Sequence, residues 1–289
     1  MRVAVIAAQG QVGSEVAAAF TRRGCEVMKI TKDQLDVTQV QRVEEVLGRL
    51  APDAVVNASA YMNADRCERH PDQAYAVNTV GARNVAHACA QVGAVCIWFS
   101  SDFVFDGTAS RPCTEEDNPN PIMTYGMAKL AGEAEVRWGC NRHYVVRTSG
   151  VFGKVGLGGR GGNFVENILS RAHAGQPLQV VDDVVASHTY AVDLAEAVVD
   201  LTLQEAPYGL YHITNEGYAS WYELCRQALV QTGLKADLTP IRLADRPEAI
   251  ARRPVFTPLR SVRLPESISR HLRPWRDGLN RYLKERGLL

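Results

Sequence analysis

The run Arg2-Val3-Ala4-Val5-Ile6-Ala7-Ala8-Gln9-Gly10-Gln11-Val12-Gly13 decides the fold. From Arg2 to Ala7 it reads as a short buried strand, and from Gln11 to Arg23 as a helix with Val12, Val16, Ala19 and Phe20 on one stripe. The turn between them holds Gly10 and Gly13, the second and third positions of a G-x-x-G-x-x-G dinucleotide-binding turn. Such a turn needs a tight bend, backbone close to a pyrophosphate, and a helix N-terminus aimed at the anion. Ala7 stands where the first glycine belongs, and one extra methyl group is expected to shift the turn only slightly. Two glycines also suit a purely structural bend, but their place between a first strand and a first helix favours binding.

Outward from this turn the chain alternates. Strands are expected at 25–30, 53–57, 94–99 and 144–148, with helices at 72–91 and 124–138. The strands are apolar throughout, as they are when helices cover both faces of a parallel sheet. Together these features predict an α/β fold, a doubly wound parallel sheet of the Rossmann type. After Gly150 the alternation breaks. Residues 154–162 hold five glycines in nine positions, which reads as a loop or active-site lid. Helices follow at 163–174, 189–203, 220–233 and 274–285, with strands at 178–181 and 209–214. The organisation expected is a nucleotide-binding unit over residues 1–150 and a smaller, discontinuous substrate unit over 151–289, with pieces crossing back and the cleft between them.

Bulk properties narrow the function. The chain has 289 residues, and its 46% hydrophobic and 22% charged content is that of a globular protein with a real core. Formal net charge is zero, which argues against a nucleic-acid partner. From Ile241 onward 12 Lys and Arg face 5 Asp and Glu, which reads either as a solvated surface or as a basic wall for a phosphorylated substrate. Seven cysteines at irregular spacing, without C-x-x-C, suggest reduced thiols in a cytoplasmic protein and offer no metal site. No apolar run reaches membrane-spanning length, so no membrane partner is expected.

Two further segments carry chemistry. The second strand ends in Lys29-Ile30-Thr31-Lys32, with no carboxylate before Asp33 to accept a ribose 2′-hydroxyl. Lys29 or Lys32 suits a 2′-phosphate, so NADPH is favoured and NADH is the alternative. Asp36 either caps the next helix or bonds an adenine amine. The fourth strand ends in Phe99-Ser100-Ser101-Asp102, and Tyr125 and Lys129 follow four residues apart on one helix face. An ammonium beside a phenol favours its ionised form. Ser101, Tyr125 and Lys129 thus form a set able to bind a carbonyl oxygen and pass it a proton.

On these residues the chain resembles the extended short-chain dehydrogenase/reductase family, and within it the dTDP-4-dehydrorhamnose reductase group. The matching stretches include Gly10 to Gly13, Leu35 to Thr38, Val56 to Tyr61, Asp65 to Glu68, Ala76 to Asn78, Ser100 to Phe105, Tyr125 to Glu133 and Arg147 to Ser149. They continue with Gly162 to Phe164, Tyr211 to Ile213, Glu216 to Glu223, Arg253-Pro254 and Trp275. The resemblance implies that Gly10, Gln11, Val12, Gly13, Asp36, Val37, Ala58, Ser59, Ala60 and Asn78 contact the cofactor, along with Tyr125 and Lys129. It implies that Ser101, in place of the usual threonine, and Asp102 contact the sugar. It further implies reduction of a 4-keto group on a nucleotide-linked 6-deoxyhexose, and relatives are often homodimers.

Two departures bear on the substrate. Gly150 replaces a tryptophan that walls the sugar pocket, which enlarges the space expected there. Asp183-Val184-Val185-Ala186-Ser187-His188-Thr189 replaces Asp-Gln-x-Gly-x-Pro-Thr. His188 is either a new donor or base, or a half-exposed histidine at a helix start. Arg252 and Arg253 suit a diphosphate clamp. Two other functions share the pattern: sugar-nucleotide epimerisation or dehydration with retained NAD, and a non-catalytic cofactor-binding regulatory subunit. The intact Ser101, Tyr125 and Lys129 weigh against the second of these.

Overall fold

A computed structural model describes residues 1–155, 163–246 and 249–289. The chain runs β1 (Arg2–Ile6), α1 (Gln11–Arg22), β2 (Glu26–Ile30), α2 (Val40–Leu50), β3 (Ala54–Asn57), α3 (Ala64–Arg69) and α4 (Pro71–Tyr75). A π-helical turn, Ala76–Val80, leads into α5 (Gly81–Val92), followed by β4 (Val95–Ser101), α6 (Thr124–Gly139), β5 (His143–Thr148) and β6 (Val151–Phe152). Next come α7 (Phe164–His173), β7 (Leu178–Val181), β8 (Val185–Ala186), β9 (Thr189–Tyr190), α8 (Ala191–Leu203), β10 (Gly209–His212) and β11 (Ala219–Ser220). The chain ends with α9 (Trp221–Thr232), β12 (Leu238–Ile241), α10 (Glu266–Ser269) and α11 (Trp275–Glu285).

Six strands form one parallel sheet in the order β10-β5-β4-β3-β1-β2. Strand residues alternate between its faces, so each strand feeds two cores. Val3, Val5, Val56, Ile97 and Val146 pack against α1 and α8 on one face. Ala4, Ile6, Val55, Trp98 and Val145 pack against α2, α5 and α6 on the other. A further core, with Phe152, Ile168, Leu224, Leu279 and Tyr282, joins α7, α9 and α11 around β7 and β12. Strand β10, late in the chain, pairs with β5 and completes the large sheet.

Several expected elements differ in detail. Residues 40–50 were assigned no element, yet Val43, Val46 and Leu47 form the buried stripe of α2. The long helix expected at 72–91 is interrupted by the π-helical turn at 76–80. The helix expected from Thr189 begins at Ala191, because Thr189 and Tyr190 pair with β6 as a strand. Of the glycine-rich stretch 154–162, residues 156–162 lie outside the described residues.

Ala7 shows how the first turn survives without its glycine. It keeps the left-handed backbone that a glycine would supply, with φ of 58°. That conformation costs an L-residue roughly 1–2 kcal/mol, while glycine gains flexibility in the unfolded chain. Ala7→Gly is therefore expected to stabilise the protein by about 0.5–1 kcal/mol, read as a higher urea midpoint at unchanged slope.

Candidate active site

The order of the sheet puts a switch point between β1 and β3, where the chain departs in opposite directions. In such sheets the ligand crevice opens at the carboxyl ends of these strands. Gly10 begins α1 with no side-chain cap, and no acidic residue occupies the first turn. The free N–H groups there suit a diphosphate. Beside them Asn57, at the end of β3, uses its oxygen to accept from Ser59 N at 3.1 Å and Ser59 Oγ at 2.5 Å. This bond shapes the Ala58-Ser59-Ala60 loop. The Nδ2 of Asn57 and the Oε1 of Gln11 are buried with no hydrogen-bond partner among the described residues. The uncapped helix and these two orphaned polar atoms fit a dinucleotide at the switch point.

Residues expected at the cofactor also hold the surrounding fold together. Asn78 is buried in the π-helical turn, and its amide accepts from Tyr61 N at 3.0 Å and donates to Tyr61 O at 2.9 Å. Both ends of this side chain are spent on holding the loop after Ala60. Gln11 donates to Val151 O at 2.7 Å and so ties α1 to the second half of the chain. Asp36 accepts from Thr38 N at 3.0 Å, which forms the turn before α2, and Val37 is buried. Lys29 and Lys32 are exposed on the β2 side of the crevice.

Strand β4 and helix α6 carry the three residues expected to deliver a proton. Ser101 ends β4, and its hydroxyl accepts from Phe103 N at 3.1 Å. Tyr125 lies in the first turn of α6, its ring edge-on to Phe103 at 6.2 Å between centroids. Lys129 is buried, donates from Nζ to Phe99 O at 2.8 Å, and lies 4.4 Å from the Trp98 ring centroid and 5.9 Å from that of Tyr125. Burial pushes the ammonium down to about 7, against the carboxylate of Glu133 one turn on. Tyr125 is pushed up by burial first and by the Asp102 carboxylate second, while the Ser101 hydroxyl opposes the rise. The expected lowering of Tyr125 by Lys129 is thus not found: desolvation of the phenol dominates, and the ammonium is engaged with a carbonyl.

The residues expected at the sugar separate into two groups. Ser101 faces the phenol. Asp102 is buried, with its oxygens taken by Ser101 Oγ at 2.9 Å and Thr257 Oγ1 at 2.6 Å, so it reaches a substrate only through Ser101. Arg253 donates to Asp65 Oδ2 at 2.7 Å and holds that carboxyl down at about 2. Gly150 has φ of 52°, and a Cβ there would meet Ser187 O at 2.6 Å and His188 Nδ1 at 2.9 Å. On this backbone Ser187 and His188 stand where a side chain at position 150 would begin. His188 is fully buried rather than half-exposed. Its Nε2 donates to Ala219 O at 3.1 Å, its ring meets Trp221 and Trp275, and burial lowers its pKa to about 4. It is neutral near pH 7, and its buried Nδ1 has no hydrogen-bond partner among the described residues.

A family model described as the RmlD substrate binding domain matches residues 1–287. The chain belongs to that family. The spore coat polysaccharide biosynthesis protein SpsK of Bacillus subtilis is 35% identical over 285 residues, covering 99% of this chain and 98% of that protein. A dTDP-4-dehydrorhamnose reductase from Clostridium acetobutylicum has 33% identity and a TM-score of 0.93, covering 99% of this chain and 100% of the other. The Bacillus anthracis dTDP-4-dehydrorhamnose reductase, solved in complex with NADP, has 30% identity and a TM-score of 0.90, covering 98% and 99% of the two chains.

This member of the RmlD family also shows supports that sequence reasoning left unassigned. Glu68 of α3 accepts from Thr124 N at 2.8 Å and Thr124 Oγ1 at 2.6 Å, and so caps the helix that carries Tyr125. A carboxylate there also suits the positive end of the helix dipole. Glu133 is gripped by Arg147 at 2.7 and 2.6 Å and by Ser100 Oγ at 2.5 Å, all buried. Both glutamates lie inside the matching stretches; what hid them was that their partners come from distant segments.

The depressed Lys129 has a consequence for stability. Unfolded, the amine titrates near its ordinary value of 10.5; folded, near 7. Between these values the unfolded chain binds more protons, so stability rises with pH across that window and is lost as pH falls through 7. Lys129→Met is expected to exceed the wild type in stability at pH 7 and to lack the rise toward pH 10. Urea denaturation of both proteins across that range measures it.

Proposed function

We propose that this protein reduces the 4-keto group of a nucleotide-linked 4-keto-6-deoxy sugar of the dTDP-4-dehydrorhamnose type, with NADPH as reductant. The observation that carries the reading is the meeting of Ser101, Tyr125 and Lys129 at the end of β4, beside an uncapped α1 at the switch point. The NADP in the Bacillus anthracis relative supports the choice of cofactor, as do the exposed Lys29 and Lys32 and the lack of a carboxylate at the end of β2. In this reading residues 1–150 mainly hold the cofactor and 151–289 mainly hold the sugar.

When bound, the nicotinamide supplies the hydride. The protein supplies position and a proton. The α1 N-terminus and the Ala58-Ser59-Ala60 loop hold the dinucleotide. Ser101 lies against the carbonyl oxygen, and the Tyr125 phenol gives that oxygen its proton as negative charge develops. A phenol whose pKa is raised holds its proton until the substrate oxygen becomes strongly basic, which keeps proton transfer tied to reduction. Lys129 places positive charge behind the phenol and steadies the tyrosinate that remains. In the same proposal Arg252, next to the Asp65-bound Arg253 on the basic C-terminal segment, supplies positive charge for the nucleotide diphosphate.

The test is oxidation of NADPH in the presence of a panel of nucleotide 4-keto-6-deoxy sugars, with NADH run in parallel. Turnover is expected with the dTDP-linked substrate, at higher kcat/KM for NADPH than for NADH. Tyr125→Phe is expected to lower kcat by about a hundredfold to ten-thousandfold while NADPH still binds. No turnover across the panel removes this reading, and unchanged turnover in Tyr125→Phe removes the tyrosine from it.

A further inference from the structure

Asp102 is a buried carboxyl whose hydrogen bonds come from hydroxyls rather than from a cation. Ser101 Oγ donates to Oδ1 at 2.9 Å, and Thr257 Oγ1 donates to Oδ2 at 2.6 Å. The Ser149 hydroxyl faces the same carboxyl without a well-formed hydrogen bond. A hydroxyl has one proton and two lone pairs. The proton of Ser101 points at Asp102, and a lone pair receives Phe103 N–H. Asp102 therefore holds the Ser101 proton and decides which way Ser101 presents its remaining lone pair to a neighbour.

Asp102 is in turn held from far along the chain. Thr257 lies 155 residues away and is itself buried. It belongs to an extended run docked on β8, with Val185 N donating to Val255 O at 2.8 Å and Thr257 N donating to Val185 O at 3.0 Å. A few residues upstream the run is fastened again. Asp65 Oδ1 accepts the N–H groups of Ile250 and Ala251, both at 2.9 Å, and Asp65 Oδ2 accepts from Arg253 at 2.7 Å. One short piece of chain thus touches α3, beside the capped start of the Tyr125 helix, and the carboxyl beneath Ser101.

We propose that Thr257 is a positioning residue for the reduction: through Asp102 it sets the direction of the Ser101 hydroxyl, so that proton delivery depends on the docking of the 250–257 run. The inference rests on the keto-sugar reading above for its effect on rate. Removing the Thr257 hydroxyl leaves a buried carboxylate oxygen without its donor. Such an oxygen moves toward the nearest remaining donor, the Ser149 hydroxyl, and the rotation of the carboxyl turns Ser101. The cofactor contacts on α1 and the β3 loop lie elsewhere, so the loss falls on kcat and not on NADPH binding.

The test compares Thr257→Ala with Thr257→Ser. Both lose the methyl group and share its packing cost, but only serine keeps the hydroxyl. In the nucleotide keto-sugar assay, the alanine variant is expected to lose about tenfold to a hundredfold in kcat, with KM for NADPH within about twofold of wild type, and the serine variant to recover most of the loss. Equal kcat in the two variants overturns the proposal. A crystal structure of the Thr257→Ala protein with NADPH is expected to show Ser101 turned from Asp102; an unchanged Ser101 side chain overturns it independently of any substrate. If the wild type turns over no nucleotide keto-sugar, the functional reading falls, and the Ser101 side chain in that crystal decides the positioning role alone.

Discussion

The bond from Lys129 Nζ to Phe99 O, 2.8 Å long and wholly buried, joins the catalytic helix to the central strand. Much of the site's geometry depends on it. Ser101 lies two residues further along the same strand, and Tyr125 lies one turn earlier on the same helix. Once the ammonium is bonded to the strand, phenol and hydroxyl are brought to one place. The backbone permits this only because Gly126 lacks a side chain: a Cβ there would lie 2.0 Å from Phe103 O. Glu68 completes the placement by capping the helix at Thr124.

Burying an ammonium is costly, and the surroundings show how the fold accommodates it. Lys129 sits over Trp98, and the carboxylate of Glu133 opposes the desolvation that lowers its pKa. That carboxylate is fixed by Arg147 and Ser100 rather than by the lysine itself. A buried ion pair is weak evidence of net stability. Here it holds a negative charge at a fixed distance from a lysine proposed to serve the proton transfer. The site thus exchanges some stability for an ammonium poised near neutral pH.

Legibility followed sequence distance. The Gly10 and Gly13 turn, the strand ends at Asn57 and Ser101, and the Tyr125–Lys129 spacing are set by local periodicity, and the structure places them where that periodicity implies. The residues whose surroundings differ are those with distant partners. Asn78 is spent on Tyr61, Asp102 on Thr257, and Arg253 on Asp65, the last across 188 positions. His188 illustrates the same limit, because its burial comes from Trp221 and Trp275, which no pattern around residue 188 announces. The stripe of α2, in contrast, was fully present in Val43, Val46 and Leu47 and needed only to be counted.

By itself the sequence determined the doubly wound sheet, the strand-turn-helix at Gly10 and Gly13, and the placement of Tyr125 and Lys129 on one helix face. Each of these is a short-range pattern: apolar runs of strand length, a turn between strand and helix, and two side chains one helical turn apart. Only the tertiary structure decided which polar groups remain available to a ligand. A side chain's chemistry depends on what already occupies its donors and acceptors, and in this protein those occupants arrive from segments far apart in the chain. The exchange at Gly150 is the plainest case. Read alone, it suggests more space; in the fold, the backbone at Gly150 is left-handed, and Ser187 and His188 stand where a Cβ would go.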